Sequence, residues 1–177
     1  MSIEDRIVEY RLEEPILSIL KNVSKIKIDE SIFQEIKQYR VFGADNEIKF
    51  IHGPTDFDTL FDIFETIQVM KDRVCEIMLS YMGVKSDIDR LYTIAKNHLW
   101  LKNELTELKN DGQRNVVIAK VIPEIEDRQH KINLIIAASE LITKNLNNTY
   151  NIAKEQSVAV QQKMYHVSLT FKDKDRS

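Results

Sequence analysis

The chain has 177 residues, of which 43% are hydrophobic and 30% are charged, and its formal net charge is -3. This length suits one domain, or one small domain with a helical extension. The 4 Gly and 3 Pro residues are too few for many short strands joined by turns, so the composition predicts a mainly α protein. The single cysteine, Cys75, excludes an internal disulfide framework and fits a reducing compartment.

The charge is unevenly distributed along the chain. Residues 1–83 carry 10 Lys and Arg against 16 Asp and Glu, whereas residues 84–169 carry 12 against 10. The mildly basic second half is weak support for a surface that faces nucleic acid, and ordinary solvated helix faces are the preferred explanation. The polar start Met1–Arg6 does not resemble a secretory signal, and no apolar run approaches the roughly 18 residues of a membrane span. We therefore predict a cytoplasmic protein with no membrane partner.

The N-terminal third mixes helical and β signals. Apolar residues at helical spacing predict short helices within residues 3–23, divided at Pro15, and a further short helix after the N-cap candidate Asp29. Residues 39–52 place strand-forming residues on both sides of the sequence Gly-Ala-Asp-Asn. This pattern predicts a β-hairpin.

The remainder of the chain reads as long amphipathic helices. One is predicted from about residue 55 to a stop at Gly83, and another from Ser86 to a break at residues 110–112. Residues 114–122 favour helix over strand, and a last helix is predicted over about 123–165. Alternating residues 165–171 predict a strand beside the hairpin, because two strands alone are only marginally stable.

Together these elements predict a long helical hairpin or bundle with a small β element at 39–52, joined by 165–171. The predicted organisation is a small N-terminal region at 1–55, an integrated helical region at 56–171, and a frayed charged tail at 172–177.

Catalytic and metal-binding patterns are lacking in the sequence. The four histidines, which are His52, His98, His130 and His166, do not pair with each other or with the cysteine at metal-ligand spacing. The glycines are too widely spaced for a phosphate-binding loop. We therefore expect no enzyme activity, no catalytic residues, no metal and no cofactor.

The apolar stripes of the long helices predict an interaction surface. A helix of about 40 residues is roughly 60 Å long, which exceeds a compact domain of this size. Part of each stripe is therefore expected to pack on another copy or on a protein partner. The expected interface residues are His98, Leu101, Leu105, Leu108, Ile135 and Ile142.

Basic and aromatic residues also gather in the second half of the chain. Basic groups beside an aromatic ring can hold single-stranded nucleic acid by charge and by stacking. The candidate contact residues are Lys96, Trp100, Lys102, Lys109 and Arg114. Packing in the core or between copies is the alternative explanation of the same residues.

Several segments in the second half resemble phage recombination mediators of the UvsY type. The resemblance is carried by Leu91-Tyr92 through Leu99-Trp100-Leu101-Lys102, by residues 125–142, and by residues 146–154. It covers at most residues 88–160. It implies a ring-like oligomer that binds single-stranded DNA and loads a recombinase, and it places the protein in the host cytoplasm if it is encoded by a phage.

Two functions follow as hypotheses. The first is a non-catalytic, oligomeric accessory factor of phage-type recombination that binds single-stranded DNA and a recombinase. The second is a structural or assembly component, such as a virion protein, a chaperone or a coiled-coil adaptor, that does not bind nucleic acid. Loss of affinity with salt and with charge removal separates the first from the second.

Overall fold

The computed structural model describes the backbone of residues 9–52, 57–108 and 110–174, and the side chains of 9–46, 58–103, 105–108 and 110–168. A 3-10 turn spans Tyr10–Leu12. The α-helices of the described residues are α1 Ile16–Lys25, α2 Ser31–His52, α3 Phe57–Trp100, α4 Asn103–Thr106, α5 Asp111–Val121 and α6 Pro123–Lys174. The predicted mainly α class is confirmed. In these helices, no stretch of described residues is long and apolar enough to cross a membrane.

The chain forms two compact units, and each combines two separate stretches of sequence. We call residues 1–30 with 79–136 the first unit, and residues 31–78 with 137–177 the second unit. The long helices α3 and α6 each contribute residues to both units. This division differs from the predicted one at residue 55, because the units follow tertiary packing and not the order of the helices along the chain.

The core of the first unit is built from apolar helix faces. In α1, Ile16, Ile19 and Val23 follow steps of three and four residues, which places them on one helix face, and all three are buried. The partner faces are supplied by α3, α5 and the first part of α6. Their fully buried side chains are Ile88, Ala95, Leu99, Ile118, Ile125, Ile132 and Ile135.

The second unit has a core of the same kind, reinforced by a polar link between two helices. The buried residues are Ile32 and Ile36 of α2, Leu60, Ile63, Ile67 and Val74 of α3, and Ile142, Leu146, Thr149 and Ala153 of α6. Arg73 of α3 contacts the carboxylate of Glu35 of α2, with Nε 2.9 Å from Oε1. The hydroxyl of Tyr39 donates to the same carboxylate at 2.6 Å.

The predicted β-hairpin at 39–52 is wrong, because these residues continue helix α2. Gly43 and Asn46, which suggested a turn, are both buried in the second unit. With Ile32, Ile36 and Tyr39 they follow steps of four and three, the spacing of one helix face. A Cβ built on Gly43 would lie 3.5 Å from the Thr149 hydroxyl, an ordinary van der Waals distance, so this position of α2 faces α6 directly. Tertiary packing therefore overrides the local turn signal.

Two further boundaries differ from the prediction. Residues 165–171 belong to helix α6 and not to a strand, so the expected third strand is wrong as well. Helix α3 runs through Gly83 without a stop and ends at Trp100. The buried residues Val74, Ile77, Tyr81 and Ile88 keep helical spacing across the glycine, so one uninterrupted face explains the continuity. The helical tail is described as far as Lys174.

Candidate nucleic-acid interface

The candidate site lies in the first unit, where helix α3 ends. The chain leaves α3 at Trp100, forms the single turn α4, and enters α5 after the N-cap residue Asn110. The Asn110 side-chain oxygen accepts from the backbone N–H of Gln113 at 2.8 Å, which satisfies one free donor of the first turn. The end of α3, both ends of α4 and the start of α5 therefore lie within one short stretch of chain that begins at Trp100.

Trp100 is half-buried and lies close to two cations. The ammonium of Lys96, one turn earlier in α3, is 5.3 Å from the ring centroid. The guanidinium carbon of Arg114 in α5 is 5.4 Å from the same centroid. Both distances are within the range of a cation–π interaction, which is strongest for tryptophan. The structure thus brings three of the predicted nucleic-acid residues together.

Arg114 is held in place by the backbone of the turn before α5. Its Nε donates to the carbonyl of Leu105 at 2.9 Å, and its Nη2 donates to the carbonyl of Leu108 at 3.0 Å. Leu105 lies in the single turn α4 and Leu108 lies just after it, so these carbonyls have few helical partners and the guanidinium satisfies them. Arg114 is therefore committed to the fold, and its effect on a ligand is to fix the orientation of Trp100.

An open groove of about 400 Å³ lies next to the ring, lined by Lys96, Asn97, Trp100 and Leu101. The side chain of Leu101 is 81% exposed, and Asn97 presents an exposed amide. The groove thus combines four kinds of group: the aromatic ring of Trp100, the apolar side chain of Leu101, the amide of Asn97 and the cation of Lys96. The amide can both donate and accept hydrogen bonds. No acidic residue occurs from residue 90 to residue 103. This combination suits a flat aromatic ring attached to an anionic group.

Lys102 follows Leu101 in the chain, but its ammonium is already bound to other groups of the protein. Its ammonium is paired with the carboxylate of Glu13 and is 4.5 Å from the ring centroid of Tyr10. Both partners belong to the N-terminal segment of the first unit. Arg11 of that segment pairs with Glu124 at the start of α6. The acidic N-terminal segment therefore covers one of the cations that the sequence assigns to nucleic acid.

The remaining predicted residues are dispersed. Lys109 lies outside the described residues. Leu105, Ile135 and Ile142 are at most 2% exposed within their own units. His98 and Leu108 are half-buried. Leu101 is therefore the most accessible member of the predicted interface set.

A metal-binding cluster does not assemble among the described residues. No cluster of three or more His, Cys, Asp or Glu side chains that can hold a metal occurs in the described part of the chain. The half-buried Tyr92 has a raised pKa, chiefly because of burial and further because of the negative charge of Glu126.

Comparisons with known proteins are sparse. No protein-family profile matches the chain, and no solved structure matches it. The chain is similar to the transcription-repair-coupling factor of Rickettsia prowazekii, with 24% identity over 152 residues. The match covers 86% of this chain and 13% of that protein. It therefore spans only a small part of the relative's length and assigns no family.

Proposed function

We propose that this protein is a non-catalytic, helical accessory protein that binds single-stranded DNA. The observation that carries the proposal is the groove beside Trp100, where an aromatic ring, the cation of Lys96 and the exposed side chains of Asn97 and Leu101 meet. Stacking on an aromatic side chain contributes about 1–3 kcal/mol per base and tolerates any sequence. A single strand is favoured over duplex because its bases are accessible for stacking.

The two cations beside the ring have different roles in this proposal. Arg114 is bound to backbone carbonyls and holds the ring from within the protein. Lys96 is half-buried and has no carboxylate near it in its own segment, so its ammonium is the group that reaches a phosphate. Phosphate contacts supply affinity and base stacking supplies the preference for single strands.

The proposal extends to the setting that the sequence resemblance implies. A phage-type recombination mediator forms an oligomer on single-stranded DNA and engages a recombinase, and we propose both for this chain. The similarity to a transcription-repair-coupling factor supports a role near nucleic acid through that protein's name alone. The absence of a metal-binding cluster from the described residues is compatible with a binding role.

Binding of a labelled oligothymidylate at low salt, followed by fluorescence anisotropy, tests the proposal. Lys96→Gln should weaken binding and flatten its salt dependence, because one phosphate contact contributes about 0.7 to the slope of log K against log salt for a single strand. The matched control is Lys144→Gln, which removes an exposed lysine of α6 in the second unit. Wild-type protein that does not bind the oligonucleotide at low salt would reject the proposal.

A structural or assembly role without nucleic acid is the second candidate. The exposed end of α6 favours it, since every side chain from residue 161 to residue 168 is exposed. Protein that self-associates in the same experiment but leaves the oligonucleotide free would support this second role over the first.

A further inference from the structure

A second cavity of the first unit lies between the segment that follows α1 and the first turns of α6. It measures about 340 Å³. It is lined by residues 26–28 and Glu30 of that segment, and by Asp127, Arg128 and Lys131 of α6. None of these residues lines the groove beside Trp100, so a ligand bound here is separate from DNA bound there.

The segment that follows α1 is fixed on both sides of the cavity. The carbonyl of Ile26 accepts a hydrogen bond from Nη1 of Arg128. The backbone N–H of Asp29 donates to the hydroxyl of the buried Tyr81 at 3.1 Å. Because these bonds hold the segment in place before a ligand arrives, binding in the cavity costs less conformational entropy.

The charged side chains of the cavity are only partly paired with one another. The ammonium of Lys131 is 3.1 Å from the carboxylate of Asp127, one turn earlier in α6. The other three charged residues, Lys27, Glu30 and Arg128, form no ion pair with another described residue. Arg128 is half-buried, and a charge removed from water is costly unless it is paired. Two cations and one carboxylate therefore remain for a ligand.

We propose that this cavity binds an acidic amino acid, a molecule with two carboxylates and one ammonium. Its three charges are opposite in sign to the three unpaired groups of the cavity. Arg128 and Lys27 each bind one carboxylate, and Glu30 binds the ammonium. The guanidinium of Arg128 uses one N–H for the Ile26 carbonyl and keeps further donors for the ligand. The half-buried Ile26 and Ile28 offer apolar surface to the methylene groups.

The balance of charges favours this class of ligand over simpler ions. Inorganic phosphate or a plain dicarboxylate brings only negative charge and leaves the carboxylate of Glu30 facing a group of the same sign. An amino acid with a neutral side chain leaves one of the two cations unpaired. The volume of about 340 Å³ lies at the small end of the roughly 300–1,000 Å³ of small-molecule sites, which suits a ligand of this size.

Isothermal titration calorimetry of the full-length protein with L-glutamate and with L-aspartate tests this inference. One or both should bind at one molecule per chain. Glutarate lacks the ammonium and L-glutamine lacks the second carboxylate. Each should bind about tenfold or more weakly than L-glutamate, because each loses one hydrogen-bonded charge pair. Inorganic phosphate that binds while both amino acids do not would contradict the proposed ligand class.

Variants of the two exposed charged residues separate a lost site from a lost fold. Lys27→Gln and Glu30→Gln should each weaken the binding of the amino acid about tenfold while the circular dichroism stays that of the wild type. Glu30→Gln should also reduce the preference for glutamate over glutarate. The matched controls Lys25→Gln and Glu14→Gln remove exposed charges outside the cavity and should bind as the wild type does. A wild type that binds neither acid, or equal binding by Lys27→Gln and Lys25→Gln, would overturn the inference.

Discussion

The two units use arginine in different ways. In the first unit, Arg114 donates to carbonyls in α4 and just after it, and Arg128 donates to the carbonyl of Ile26 in the non-helical segment after α1. In the second unit, Arg73 instead joins two helices through the carboxylate of Glu35. These arginines therefore stabilise non-helical segments and helix ends in the first unit, and a helix–helix contact in the second.

This difference explains why the candidate site lies in the first unit. Helix ends leave backbone groups exposed and side chains less regularly packed, and both features produce grooves. Both units contain an aromatic ring beside a lysine, since Lys71 lies 5.7 Å from the ring centroid of Tyr150 in the second unit. That pair, however, lies close in sequence to Glu65 and Asp72, whereas Trp100 lies in an acid-free stretch. The two lysine–ring contacts are therefore similar in geometry but differ in the number of acidic residues nearby in the sequence.

The largest expected effect comes from removing the ring of Trp100. Trp100→Ala should lower the affinity for single-stranded DNA by about 5- to 150-fold, which corresponds to the loss of one stacked base at about 1–3 kcal/mol. Tyr150→Ala should leave the affinity unchanged. Anisotropy titrations of both variants, with circular dichroism as a check of folding, measure the contrast. Equal losses of affinity in Trp100→Ala and Tyr150→Ala would contradict the claim that the DNA site lies in the first unit.

Two glycines in helices provide a comparison of stability. Gly83 in the first unit is exposed, and a Cβ added there would meet no atom within 4 Å, so Gly83→Ala should raise the free energy of unfolding by about 0.5–1 kcal/mol. Gly43→Ala in the second unit should give a gain of similar size, because its methyl group would make an ordinary van der Waals contact with the buried Thr149. Urea denaturation measures both. A destabilising Gly83→Ala would indicate a helix stop at residue 83, as the sequence suggested.

The acidic N-terminal segment of the first unit should compete with DNA for Lys102. Glu13→Gln breaks its pair with Lys102 and should raise the affinity by up to about fivefold, since an exposed ion pair contributes about 0–1 kcal/mol. Glu14→Gln removes the same charge one residue away and is the matched control. Titrations at several salt concentrations should show a steeper salt dependence for Glu13→Gln alone. If both variants bind more tightly to the same extent, only the net charge matters.

The hydrogen bond that Tyr39 donates to Glu35 within α2 should fail at high pH. Burial, followed by the hydrogen bond to Glu35, raises the pKa of Tyr39 from 10.0 to about 12. A raised pKa in the folded state stabilises the fold below the unfolded pKa, and this stabilisation is lost as the pH rises from about 10 to 12. Tyr39→Phe should therefore weaken the dependence of unfolding free energy on pH in this range. The exposed Tyr165→Phe should retain the wild-type dependence.

Helical periodicity predicted most of the architecture. The stripes of α3 and α6 were predicted because burial repeats every three or four residues over many turns, and this signal survives single exceptions such as Gly83. The hairpin at 39–52 was wrong because Gly43 and Asn46 resemble turn residues locally. In the structure they lie at positions where two helices approach closely, and the sequence does not show that partner.

The candidate site was predicted in part. The alternation of basic and aromatic residues identified Lys96, Trp100 and Arg114, which the structure brings together. No sequence pattern indicated that Arg114 would bind the carbonyls of its own turn, or that Glu13 would pair with Lys102 across 89 positions. Such contacts depend on the tertiary fold, which brings together residues that are distant in sequence.

Fluorescence of the protein itself tests the central claim most directly, because Trp100 is the single tryptophan of the chain. Titration with unlabelled oligothymidylate at low salt should quench this emission to saturation, and added salt should restore it as phosphate contacts are lost. A labelled oligonucleotide that binds while the emission of Trp100 stays constant would contradict the account, since the strand would then lie elsewhere on the protein.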